Sequence, residues 1–159
     1  MRALIYSALI VLFDQITKHM VRNNLDLNRP VEVLGNFFRL TFVENSGIVF
    51  GVSVGGALPL FTALSAIATI FIIYFFFRER NGPPGVRISL ALVLGGAIGN
   101  LIDRILFGRV VDFLDFGIGR YRFFVFNIAD SAVTIGVCLF LIVTTFFLPK
   151  QQEAAVEDA

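Results

Sequence analysis

Two acids separated by a short aromatic stretch are the residues in this sequence best suited to chemistry. Asp112 lies in Arg109-Val110-Val111-Asp112-Phe113-Leu114-Asp115, and Asp130 lies in Phe126-Asn127-Ile128-Ala129-Asp130-Ser131. A pair of carboxylates that meet is the minimal apparatus for aspartic proteolysis. One, ionised, takes a proton from water; the other, protonated, polarises a carbonyl and donates to the developing oxyanion. Two close carboxylates cannot both ionise cheaply, so such a pair holds one proton and titrates as a unit. Other readings stay open. Asn127 with an acid three residues on is also the pattern of a helix N-cap, and Asp112 and Asp115 are also readable as solvated loop acids. If Asp130 begins a helix, the helix dipole favours its ionised form, which points to Asp112 as the proton holder.

A second group of polar residues lies inside apolar runs, where each charge costs roughly 2.5–3.5 kcal/mol to insert. Asp14 and Lys18 stand at i, i+4 with the acid first, the spacing of an intrahelical ion pair. Gly96, Gly99, Asn100 and Asp103 share one helical face, with Arg104 beside Asp103. Gly95 and Gly99 have the small-xxx-small spacing that lets two helices approach closely. Packing accounts for the glycines but not for Asn100, Asp103 and Arg104, which need partners that lipid cannot supply. One alternative is a small proton-coupled transporter or channel that uses these charges as a pathway. It requires midplane polar residues in several spans, and the second and fourth lack them. A non-catalytic membrane assembly factor, in which the acids merely cap and pair, is another.

The elements that must position these residues are membrane spans. The chain has 159 residues, is 57% hydrophobic and carries 16% charged residues, against about 25% in a soluble domain. Its mean hydropathy is +0.82. Four segments reach the roughly 20 residues that cross a bilayer: about Ala3–Val21, Ala57–Phe77, Val86–Phe107 and Ile128–Leu148. Each is expected to be helical, because unpaired backbone is too costly in lipid. The first follows Met1-Arg2 as a signal peptide would, but no small-x-small cleavage site follows it, so it reads as a retained span. The net charge of +1 gives no reason to expect a nucleic-acid partner. Cys138 reads as a small core or lipid-facing residue, and His19 as an interfacial residue rather than a metal ligand. Gly51-Val52-Ser53-Val54-Gly55 matches a nucleophile-elbow pattern by accident, since no histidine follows it.

Arg2, Arg78, Arg80, Arg87 and Lys150 are denser than the basic residues of the opposite loops. This predicts cytoplasmic termini and puts Asp112 and Asp130 together on the outer side. The outer loops, residues 22–56 and 108–127, are rich in Val, Phe, Thr and Gly. Phe37–Val43 and Arg120–Phe126 read as short strands, with turns at Asn28-Arg29-Pro30 and Gly117-Ile118-Gly119. The expected fold class is a membrane all-α core of four transmembrane helices with a small extracytoplasmic β-sheet cradle. Residues 1–150 form its single domain, followed by a disordered tail, Gln151–Ala159.

Five ordered motifs together resemble lipoprotein signal peptidase, or signal peptidase II. They are Asp14-Gln15-Ile16-Thr17-Lys18; Glu44-Asn45-Ser46-Gly47-Ile48-Val49-Phe50-Gly51; Gly95–Arg104; Val110-Val111-Asp112-Phe113; and Phe126–Ser131. The resemblance implies a metal-independent aspartyl endopeptidase without a cofactor. Its substrates would be prolipoproteins carrying diacylglycerol on the lipobox cysteine, cut just before that cysteine. By motif match Asp112 and Asp130 would be the catalytic pair. Asn45, Gly47, Asn100, Arg104 and Asn127 would bind substrate, and Asp14, Lys18 and Asp103 would be supporting polar residues. The implied partners are lipid-modified prolipoproteins, membrane lipid and globomycin-like inhibitors. The implied setting is the bacterial inner membrane, with the protein a monomer.

Overall fold

In the computed structural model, residues 2–46 and 58–147 are described. Among these residues, four helices are long and apolar enough to cross a membrane: α1 Leu4–Asn24, α2 Leu58–Arg78, α3 Pro84–Phe107 and α4 Ile128–Ile142, which a π-helical turn continues through Phe147. Chain chemistry sets several of the ends. Pro84 opens α3, where its missing N–H would be unsatisfied anyway. Gly108 closes it in a left-handed conformation at φ 70°, its N–H returning to the Arg104 carbonyl. The expected span boundaries shift only slightly; α1 runs three residues beyond Val21, and α3 starts two before Val86. Leu148 and the tail after it lie outside the described residues. The outer faces carry exposed Ile5, Leu12, Phe71 and Leu141, as lipid-facing surfaces do.

The helices close through small residues and one polar knot. A side chain at Gly95 would meet Ile10 and the Ser7 backbone of α1, and one at Gly96 would run into the Ala129 carbonyl of α4. The glycine run of α3 therefore brings both neighbours to backbone distance at one level. Beside it, Lys18 is fully buried, and its ammonium reaches Asp14 Oδ2 at 2.8 Å, Asn100 Oδ1 at 2.9 Å and Asp103 Oδ2 at 3.2 Å. Three ammonium protons meet three acceptors. Arg22 adds a second cation on Asp103, at 2.9 Å, so two acids face two bases and the knot is neutral.

Among the described residues, four antiparallel strands lie in the connections from α1 to α2 and from α3 to α4: β1 Pro30–Leu34, β2 Phe38–Asn45, β3 Val110–Ile118 and β4 Tyr121–Arg122, in the order β1-β2-β3-β4. Asn28, at φ 59°, and Gly119, at φ 61°, supply the expected turns. Two expectations need correction. Residues 120–126 form only a two-residue strand, because the chain then leaves the ladder and Phe126 bridges back to Leu114. Asp112 and Asp115 are not solvated loop acids; they lie in β3 and are 3% and 6% exposed. Asp115 is held by Arg122 at 2.6 Å and by the Thr41 hydroxyl at 2.7 Å. It is a structural acid of the sheet.

Two outcomes follow. Lys18→Met leaves two buried carboxylates short of a cation and should cost about 3–5 kcal/mol, read as a lowered unfolding temperature in detergent. Gly96→Ala forces α3 and α4 apart and should cost about 1–3 kcal/mol by the same measurement.

Candidate active site

The polar knot continues outward into the acids singled out from the sequence. Asp103 Oδ2 accepts the backbone N–H of Val111 at 3.0 Å, which fixes β3 one residue before Asp112. Asp14 Oδ1 accepts the backbone N–H of Ala129 at 2.9 Å, which fixes the first turn of α4 one residue before Asp130. Each supporting acid thus holds the backbone next to a candidate catalytic acid.

Asn127 joins the two candidates. As the N-cap of α4 its side-chain oxygen accepts the Asp130 N–H at 2.9 Å, and Asp130 Oδ2 accepts the Asn127 N–H at 3.2 Å. The expected capping box is therefore present. It does not exclude a site, because the same Asn127 is fully buried and its Nδ2 donates to Asp112 Oδ1 at 2.6 Å. Asn100 Nδ2 donates to Asp130 Oδ1 at 2.8 Å, while Asn100 Oδ1 receives Lys18 and Asn127 Nδ2. Asn45 Nδ2 donates to Asp112 Oδ2 at 3.0 Å. Sheet register explains that contact: Val43 pairs with Asp112, so Asn45, two residues on, is its diagonal neighbour. The register slips by one residue between Leu40 and Val43, a bulge of the sort that re-aims side chains near sites.

All four oxygens of Asp112 and Asp130 thus accept hydrogen bonds from asparagines. Burial pushes Asp112 up from the ordinary carboxylate range to about 6. The Asn45 donor opposes that rise, the charge of Asp130 adds to it, and the Asn127 donor and the more distant Lys18 oppose it again. Such a group exchanges protons near neutrality.

Arg104 is placed differently. Its guanidinium feels the charges of Asp130, Asp112 and Asp103, yet among the described residues it forms no ion pair and meets only the Asn100 carbonyl, at 3.4 Å. A cation beside the acids with its donors uncommitted suits a carbonyl from outside the protein. Gly47 lies outside the described residues, as do Ile48–Gly51 of its motif and the Gly51–Gly55 pattern.

Two participants went unassigned in the sequence. Gln15 Nε2 touches Asp14 Oδ2 at 3.2 Å, the Gly99 carbonyl at 3.1 Å and Asp103 Oδ1 at 3.4 Å. Arg22 pairs with Asp103 and lies 4.0 Å over the Phe107 ring. A signal existed for Arg22: Asp14, Lys18 and Arg22 repeat at i, i+4, i+8 along one face of α1. His19, by contrast, is exposed and touches only Asn23 among the described residues, and Cys138 is exposed on the lipid side of α4.

The family model for signal peptidase II matches residues 6–147. A lipoprotein signal peptidase of Syntrophus aciditrophicus is 44% identical over 154 residues, covering 94% of each chain. Another, of Staphylococcus aureus, is 36% identical over 140 residues, covering 88% of this chain and 85% of its own length. Two solved bacterial membrane enzymes are similar in fold. One has a TM-score of 0.82 at 34% identity, covering 92% of this chain and 94% of its own; the other has 0.79 at 35%, covering 90% and 87%. The chain, a multi-pass membrane protein, belongs to the signal peptidase II family of proteases.

Proposed function

We propose that the chain is an aspartyl endopeptidase of the bacterial inner membrane. It removes the signal peptide from diacylglyceryl-modified prolipoproteins by cutting just before the lipidated lipobox cysteine, without a metal or cofactor. One observation carries the reading: a single buried residue, Asn127, hydrogen-bonds both Asp112 and Asp130. The transporter alternative loses support from the same geometry, because Asp14, Lys18 and Asp103 are fully buried and mutually paired rather than lining a path.

In this mechanism Asp112 holds the shared proton and Asp130 is the base. Asp130 takes a proton from the attacking water while Asp112 donates to the carbonyl oxygen of the scissile bond. That donation stabilises the oxyanion where charge develops. As the C–N bond breaks, Asp130 passes its gained proton to the leaving nitrogen, and Asp112 takes back a proton from a hydroxyl of the gem-diol as the carbonyl reforms, which restores one proton to the pair. Arg104 binds a backbone carbonyl of the substrate. Asn45, Gly47, Asn100 and Asn127 complete the binding surface, and globomycin-like peptides compete for it. Three of these asparagines also act before substrate arrives, since the side-chain amides of Asn45, Asn100 and Asn127 already hold the carboxylates. The substrate's diacylglyceryl chains stay in lipid, which fixes the scissile bond at one depth and turns encounter into positioning. The site faces the outer side, both termini are cytoplasmic, and a monomer suffices.

Asp112→Asn and Asp130→Asn should each give a folded, membrane-inserted protein whose cleavage of a lipidated precursor falls by at least about 10³-fold. Full processing by either variant contradicts the pair. Burial of Asp112 also has a stability consequence. Its folded pKa, about 6, lies above an unfolded value near 3.9, so its contribution is fully present below about pH 4 and is lost as pH rises through 6. Over that window the wild type should lose about 3 kcal/mol relative to Asp112→Asn, seen in paired thermal unfolding at pH 4 and pH 7.

A further inference from the structure

At the end of the bundle opposite the aspartates, α2 rests on α3 and scarcely touches α4. The two outer helices therefore stand apart along the first half of α3. The gap is a cavity of about 590 Å³, lined by Phe75, Leu90, Val93, Val137 and Phe140, with Arg78 among its lining residues. Thr144 also lines it, and its hydroxyl already donates to the Phe140 carbonyl at 2.8 Å. In a bilayer such a space holds hydrocarbon.

Its dimensions and its charge narrow the occupant. The liners of α3 run from Val86 to Val93, about 10 Å at 1.5 Å per residue. That lies within the roughly 15 Å depth of one leaflet. Arg78 ends α2 and lines the cavity, Arg80 follows in the α2–α3 link beside Phe76, Phe77 and Asn81, and Arg87 lies in the first turn of α3. Among the described residues, none of the three arginine side chains has an ion pair or hydrogen-bond partner. Glu79 lines the cavity beside Arg78 and also lies against the link at Gly82, where an added Cβ would be 2.8 Å from its Oε2; three arginines against this one acid leave the link positive. The mouth is thus cationic on balance, and planar guanidinium groups match a phosphate in shape and charge.

We propose that this groove binds an anionic glycerophospholipid of the leaflet that faces the α2–α3 link. One acyl chain fills the cavity and the phosphate lies against Arg78, with Arg80 and Arg87 adding positive charge to the same link. Bound there, the lipid bridges α2 to α4, which protein contacts barely join. It is a site apart from the one that cuts, and it stands whether or not the proposed proteolysis does.

Native mass spectrometry of the full chain in detergent tests this, with phosphatidylglycerol and phosphatidylcholine of identical acyl chains as the probes. One phosphatidylglycerol should bind per chain, at least about fivefold more tightly than phosphatidylcholine, as roughly one basic side chain's attraction provides. Arg78→Gln, at an exposed helix end, should weaken phosphatidylglycerol about fivefold and phosphatidylcholine by less. Val137→Trp, from a half-exposed position on the groove wall (44% exposed), should weaken both. Equal affinity for the two lipids overturns the proposal, as does an Arg78→Gln variant whose preference for phosphatidylglycerol is undiminished. Arg78→Gln keeps the test decisive should Val137→Trp misfold.

Discussion

The buried ammonium of Lys18 is the constraint on which the rest of the structure depends. It is fully buried and its acceptors are protein groups, so Asp14, Asn100 and Asp103 must converge on it or a charge is stranded in the bilayer. Those three residues come from two helices, and each passes the constraint on. Asp14 grips the first turn of α4, Asp103 grips the start of β3, and Asn100 reaches Asp130 directly. Moving either candidate catalytic acid therefore pulls on the same ion cluster. Removing one member of a buried ionic group costs several kcal/mol, more than a surface contact would. That gap makes the arrangement stiff, and stiffness is what a pair of carboxylates held at a fixed spacing requires.

The same coupling appears at Asn127. A helix cap and a link between two acids are usually separate roles, and here one side chain fills both. Its oxygen closes the helix while its nitrogen holds Asp112, so the start of α4 and the site are set in register together. The glycines of α3 make this reachable. Backbone contact at Gly95 and Gly96 brings α1 and α4 in close enough for side chains as short as Asp14 and Asn127 to span the gap.

Much of the fold was legible in the sequence because lipid imposes simple rules. Uncharged runs of about 20 residues must be helices, and all four appear within a few residues of their expected limits. The sheet was only half legible. Phe38–Asn45 has the composition of a strand, but Val110–Ile118 places its two acids among apolar residues on both faces, buried by helices on one side and aromatic rings on the other. Alternation could not reveal it. The aromatic run 120–126 suggested more strand than exists, since composition does not show that Phe126 must turn inward to deliver Asn127. In the site, the acids and asparagines stood out as polar residues without partners. Their wiring did not, because Lys18 joins residues 82 and 85 positions away, a matter of tertiary packing alone.

If two carboxylates at the sheet end of the bundle share one proton, carbon-13 NMR titration of aspartate carboxyls in the detergent-solubilised protein reads it most directly. The pair should hold one proton below an apparent pKa of about 6, and that step should vanish in Asp112→Asn and move toward lower pH in Asp130→Asn. Two carboxyls that titrate independently near 3.9, each indifferent to loss of the other, would contradict it.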